Sequence, residues 1–235
     1  MMKVCLASVI AATMLLASDR ECQSDRDKIV GCVEKEYYEN GRLMGKAPYK
    51  NGKQNGVEKW YYENGKPMIE RPYKNGKQNG VEKWYYENGK LMSETPYKDN
   101  KANGVDKMYY ENYENGRLMR ERPYKNDKQN GVEKMYYENG RLMGEARYKN
   151  DKQNGVAKWY YANGRLMGEA RYKNGKRNGV EKAYYSSSEP FADVIWNNGE
   201  ITSAKCHNGS IPTSAQLHNF SKSDDLSDLC GETPR

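Results

Sequence analysis

Between residues 32 and 199 the chain alternates short runs of aromatic and aliphatic residues with Asn-Gly turns on a 24-residue period. One unit reads Gly56-Val57-Glu58-Lys59-Trp60-Tyr61-Tyr62-Glu63-Asn64-Gly65-Lys66-Pro67-Met68-Ile69-Glu70-Arg71-Pro72-Tyr73-Lys74-Asn75-Gly76-Lys77-Gln78-Asn79, and Gly80 opens the next. The Tyr-Tyr pairs begin at Tyr37, Tyr61, Tyr85, Tyr109, Tyr136, Tyr160 and Tyr184, in steps of 24 with one step of 27. The longer step holds a three-residue duplication, Glu111-Asn112-Tyr113-Glu114-Asn115-Gly116, which reads as a lengthened turn. Seven copies result, the seventh degenerate but in phase, since Trp196 and Gly199 follow Tyr172 and Gly175 by 24 residues. Period-two alternation bounded by Gly and Asn predicts two extended runs per copy.

The turn residues set a register. Asn64-Gly65 predicts a two-residue type I′ hairpin, in which both central residues take positive φ. Residues whose numbers add to 129 then face each other: Lys59 meets Glu70, Glu58 meets Arg71 and Tyr61 meets Met68. The same rule pairs Lys83 with Glu94, Lys134 with Glu145, Lys158 with Glu169 and Lys182 with Asp193. Lys107 reaches Glu121 only if the three extra residues loop out, and in the first copy Lys35 meets Lys46. Alternation puts Trp60, Tyr62, Tyr73 and the leucine slot (Leu43, Leu91, Leu118, Leu142, Leu166) on one face. Val57, Lys59, Tyr61, Met68 and Glu70 go to the other. The expectation is an all-β fold, an elongated single-layer antiparallel β-meander of tandem 24-residue hairpins, with ring-on-ring packing along its aromatic face and ends that need closure.

Composition supports this and excludes a conventional core. Leu, Ile, Val and Phe make up 30 of 235 residues, about 13%, where roughly 20% is the lower bound for an ordinary globular chain. The 21 tyrosines and 4 tryptophans supply the apolar surface instead. Residues 1–18, with Lys3 ahead of an uncharged run from Val4 to Leu16 and small residues at Ala17 and Ser18, have the order of a secretory signal peptide. Its removal takes Cys5 and leaves Cys22, Cys32, Cys206 and Cys230, which predicts the disulfides Cys22–Cys32 and Cys206–Cys230 in an exported protein of the periplasm, cell surface or medium. Residues 19–31 and 200–235 then read as N- and C-terminal caps around the repeats of 32–199.

Little in the chain points to catalysis. His207 and His218 are the only histidines, Ser186-Ser187-Ser188 replaces a turn, and the loops of the Lys74–Gly80 type lack the strand-to-helix setting of a phosphate loop. No catalytic residue, metal site or cofactor is expected, because the cysteine spacings do not match zinc pairs. The formal charge of +7 falls to +6 without Lys3, and its cations interleave with carboxylates; nucleic acid is not an expected partner, whereas peripheral contact with an anionic surface is compatible with it. The aromatic columns Trp60, Trp84, Trp159 and Tyr61, Tyr85, Tyr109, Tyr136, Tyr160 are the candidate binding residues. Packing alone also accounts for them, since the slot ahead of Tyr-Tyr is filled in turn by Glu36, Trp60, Trp84, Met108, Met135, Trp159 and Ala183.

The unit Tyr-Tyr-x-Asn-Gly-[Lys/Arg]-Leu-Met…Glu…Tyr-Lys-Asn-Gly-Lys-x-Asn-Gly resembles the variant MORN repeat of bacterial proteins, several of which are grouped as YwqK-type antitoxins. The resemblance implies a twisted antiparallel sheet used as a scaffold or interaction surface, and no reaction. The expectation for function is therefore an exported scaffold, monomeric or weakly self-associating, that binds a protein or envelope component through its sheet face. Two alternatives stand beside it: an antitoxin that neutralises a cytosolic toxin, and a choline- or glycan-binding cell-wall module built on Trp and Tyr rings.

Overall fold

Each unit folds into a long hairpin followed by a short one. Gly56–Tyr61 pairs with Pro67–Lys74, which turns back onto Lys77–Gln78 before Gly80–Tyr85 opens the next unit. The computed structural model describes residues 20–112, 116–223 and 225–232; the segment 1–18, expected to be a signal peptide, and residues 113–115 of the duplication lie outside the described residues. Among the described residues the strands join into one 20-stranded antiparallel sheet, a single open layer that runs as a meander. The expected charge register holds. Lys59 faces Glu70, Glu58 faces Arg71, Lys182 faces Asp193 and Lys35 faces Lys46, and Lys107 reaches Glu121 across the lengthened turn.

The turn that produces this register differs from the expected one. Gly65 has φ 83°, but Asn64 is not in the positive-φ region. The Gly65 amide donates to the Tyr62 carbonyl at 2.8 Å and the Tyr62 amide to the Lys66 carbonyl at 2.9 Å. This is a three-residue loop, a type I turn closed by a left-handed glycine. Such a loop slips the pairing by one residue, so Tyr61 faces Pro67 and not Met68. A bulge at Met68 restores the register by Trp60, which faces Ile69. The type I′ turn lies at the other junction, where Asn75 (φ 53°) and Gly76 (φ 78°) connect Lys74 to Lys77.

The slip also moves one side-chain column. The leucine slot pairs directly with the first tyrosine, as Tyr85 with Leu91 and Tyr136 with Leu142, so it belongs to the Lys59–Tyr61 face and not to the tryptophan face. Among the described residues no ring-on-ring packing runs along the array either. Equivalent residues of successive units stand two strands apart, about 9.5 Å, beyond the roughly 4.5–7 Å that ring pairs need. Among the described residues the close ring pairs, Tyr185–Phe191 at 5.0 Å and Trp196–Phe220 at 6.1 Å, lie in the seventh hairpin and between it and the C-terminal cap.

What joins the hairpins instead is a ladder from side chain to main chain. The second tyrosine of each pair donates its hydroxyl to the carbonyl of the first tyrosine in the next unit: Tyr38 to Tyr61, Tyr62 to Tyr85, Tyr86 to Tyr109, Tyr110 to Tyr136, Tyr137 to Tyr160 and Tyr161 to Tyr184, at 2.5–2.8 Å. At the opposite edge Gly80 (φ 124°) lies under Pro72, whose Cγ would be 2.7 Å from an added Cβ, so no other residue fits there without displacement.

Both ends are closed on the tryptophan face. Helix α1 (Asp25–Val30) sets Lys28 over the Tyr49 ring at 4.6 Å and 2.8 Å from Glu34. The Arg20–Cys22 segment covers the first sheet edge through bonds to Val33, and Cys22–Cys32 ties it down. At the other end α2 (Ser214–Ser223) and α3 (Leu226–Cys230) bring Phe220 and Leu229 onto Phe191, Val194 and Trp196, with Cys206–Cys230 as the tie. This is the main cluster of fully buried side chains, since a one-layer sheet has no opposing layer to bury against.

Removal of one rung tests the ladder. Tyr86→Phe leaves the ring and deletes a bond to the Tyr109 carbonyl, which costs about 1 kcal/mol and lowers the thermal midpoint of the disulfide-intact protein. An unchanged midpoint would show that the rung contributes nothing.

Candidate functional site

The register lays two continuous rows across the sheet, one per face. On the indole face Trp60 faces Gly45 and Ile69, Trp84 faces Ile69 and Ser93, and Met108 faces Ser93 and Arg120. Arg120 continues to Met135, Gly144, Trp159 and Gly168. The glycines carry the rings: a Cβ on Gly45 would lie 2.9 Å from Cε3 of Trp60, so the indole rests flat on bare backbone. Trp60, Trp84 and Trp159 are all half-buried. The row runs uncovered between the two caps, which contact the face at Tyr49 and at Trp196.

Beside it runs a polar column that sequence reasoning missed. Arg71 bridges Glu58 and Glu82, and Arg122 pairs with Glu133 at 3.0 Å. Glu82 and Glu133 are buried, at 7% and 6% exposure, so their charges need partners. Glu82 also accepts from Gln78 Nε2 and from the Trp84 indole, each at 2.9 Å, which fixes the ring plane of that tryptophan. Burial works against the Arg71 charge, but Glu82 and Glu58 outweigh it and hold its pKa above the usual value. The column changes character after Glu133, where Ala146, Ala157 and Ala170 are buried. The Glu58–Arg71 pair was legible in the register; its extension to Glu82 was not, because that contact crosses between units.

On the opposite, ladder face lysine and carboxylate alternate from Lys59 to Glu70, Lys83, Glu94, Lys107, Glu121 and onward to Asp193. Lys59 lies 2.7 Å from Glu70 and Lys107 3.1 Å from Glu94. In the middle units the first tyrosine of the pair hangs its hydroxyl on this ladder: Tyr85 on Glu70, Tyr109 on Glu94 and Tyr136 on Glu121, each at 3.0 Å. The sheet thus separates the candidate residues. Trp60, Trp84 and Trp159 share one face, while Tyr61, Tyr85, Tyr109, Tyr136 and Tyr160 share the other, and no single site contains both sets.

The described residues offer little catalytic chemistry. His207 Nε2 lies 3.1 Å from Asp193 Oδ2 near the terminal edge. Among the described residues no group of three or more His, Cys, Asp and Glu side chains converges on a point that could hold a metal.

The tyrosine–carboxylate bonds have a pH signature. Burial first, and then Glu70, Glu94 and Glu121, push the Tyr85, Tyr109 and Tyr136 phenols up to about 12. Against an unfolded value of about 10, the fold favours the protonated phenol; this stabilisation is complete below about pH 10 and is lost as pH rises toward 12. Phenolate absorbance will therefore show a group of tyrosines that ionise late. Glu94→Gln removes the charge beside Tyr109 and brings its titration part of the way down, whereas an unmoved curve would show that burial alone sets it.

The MORN repeat variant family matches residues 33–51, 54–75, 78–99, 103–126, 129–150 and 153–174. The seventh hairpin, Gly179–Tyr184 with Pro190–Asn197, continues the same pairing beyond the last matched segment. No curated protein matches the chain. Among solved structures, a TcdB2–TccC3–Cdc42 crystal structure shares 11% identity at a TM-score of 0.23, covering 77% of this chain and 12% of that one. A Photorhabdus luminescens Tc holotoxin pore shares 14% at 0.22, covering 76% and 13%. The chain spans about an eighth of either protein, and at these scores neither likeness bears on its function. Its six matched units and the strand pairing that repeats through them place this chain in the MORN repeat variant family.

Proposed function

We propose that the protein is an exported, non-enzymatic scaffold, monomeric or weakly self-associating, that binds a protein or envelope component through the indole face of its sheet. The observation that carries this reading is the row from Trp60 to Trp159. It lies uncovered between two caps, and aromatic rings fixed on rigid backbone are the groups that contribute most to macromolecular binding. The two disulfides are compatible with export, since such bonds persist in oxidising compartments.

Single substitutions Trp84→Ala and Trp159→Ala test the row. Each is expected to weaken capture of the envelope partner by roughly 30-fold, the equivalent of about 2 kcal/mol, in a protein that keeps its strand signal. If alanine at these positions only unfolds the chain, and no folded variant loses a partner, the rings are structural. Saturable retention on choline or glycan resin would move the reading to a cell-wall module.

Intact mass and thiol counting on native protein from separated fractions test export. An envelope form that lacks residues 1–18 and has its four remaining cysteines blocked is expected. A full-length cytosolic chain with free thiols would instead favour the antitoxin alternative.

A further inference from the structure

The ladder face carries one defect, and the later units show what it lacks. Lysine and carboxylate alternate at every rung from Lys59 to Asp193, but the first three rungs are Lys35, Lys46 and Lys59, each in direct register with the next. Like charges on facing strands repel. Lys59 has Glu70 on its far side; among the described residues Lys35 and Lys46 have no carboxylate in strand register and form no ion pair, and the edge carboxylate Glu21 accepts from the Tyr37 hydroxyl at 3.5 Å.

The tyrosine hydroxyls mark the same position. Tyr85, Tyr109 and Tyr136 each donate to the carboxylate of the preceding unit. Tyr61 meets Lys46 where that carboxylate belongs, and its hydroxyl has no acceptor among the described residues. Lys46 therefore stands where the later units have the acceptor for the tyrosine hydroxyl, with Lys35 in register beside it, and all three side chains are half-buried. Next to Tyr61 an open recess of about 460 Å³ is lined by Arg42, Leu43, Tyr61, Asn64 and Gly65. Arg42 is the cation that lines this recess, and it holds its place by donating to the Glu63 carbonyl at 2.7 Å.

We infer that Lys35, Lys46 and Tyr61 form a dock for an acidic segment of a partner protein, whose carboxylate lies over Lys46 and supplies the acceptor that Glu70, Glu94 and Glu121 supply in the later units. An extended acidic peptide suits the geometry: a side-chain carboxylate bridges the lysine rungs while neighbouring residues reach Arg42 in the recess. The inference rests on the scaffold reading and assigns partner chemistry to one end of the face opposite the indoles.

The test uses the disulfide-intact full chain and a blocked oligoglutamate peptide, followed by titration calorimetry at low salt. Saturable binding is expected, weakened as salt rises. Lys46→Glu restores the alternation, so this variant should melt no lower than the wild type yet bind the peptide at least about tenfold more weakly. Lys98→Glu changes the net charge equally at an exposed turn and should bind like the wild type. Absence of wild-type binding overturns the inference. So does an equal loss in both variants, which would mean non-specific charge, or a response to inorganic phosphate without one to the peptide. Should the peptide fail while Trp84→Ala still releases the envelope partner, the scaffold reading stands without this dock.

Discussion

Consecutive hairpins in this sheet meet through very little backbone. Between Pro67–Lys74 and Gly80–Tyr85 the pairing consists of Ile69 with Trp84 and Glu70 with Lys83, before the chain diverges into the short hairpin. A hairpin of this size buries no core of its own, so the joint decides whether the array is one cooperative object. Side chains complete it: a tyrosine hydroxyl on the next unit's carbonyl, a lysine between carboxylates, an arginine or lysine on the next turn. Arg42 reaches Glu63, Lys66 reaches Asn88 and Arg165 reaches Ser186, all on main-chain oxygens. Because these bonds recur at the repeat period, the period itself is part of the cohesion.

That requirement explains the composition. Aliphatic side chains stabilise by burial between layers, and this fold has one layer. Tyrosine supplies both an apolar ring to cover the sheet and a hydroxyl to bond the neighbouring unit, which is why it replaces leucine as the commonest large apolar side chain. The ordinary core is confined to the C-terminal cap, where two short helices give Phe191, Val194 and Trp196 a surface to pack against.

The two faces follow different logics. The ladder face alternates its charge strand by strand, and among the described residues its N-terminal rungs are three lysines in succession. The indole face carries most of its charge as a short buried network around Arg71 and Arg122 and, apart from Ser93 and Arg120, keeps its central row apolar. Both caps fold onto that second face, so its middle is bounded at each end while the ladder face is open throughout.

The period, the two long strands per unit, the lysine–carboxylate register and the disulfide pairs were legible in the sequence, because each depends on residues brought together by spacing alone; the short third strand, Lys77–Gln78 and its copies, was not. Nor was the turn type. Asn64-Gly65 suits a type I′ turn as well as a type I turn with a left-handed glycine, and the bulge at Met68 cancels the slip, so either turn predicts the same lysine–glutamate pairs. Only the folded backbone shows the slip, and with it the face that the leucines occupy. The Tyr62–Tyr85 bond was hidden for a related reason, since its acceptor is a main-chain carbonyl that no residue type announces. Which face the caps cover was likewise left to tertiary structure: it depends on where Phe220 and Lys28 find rings to pack on, a choice made in three dimensions after the sheet exists.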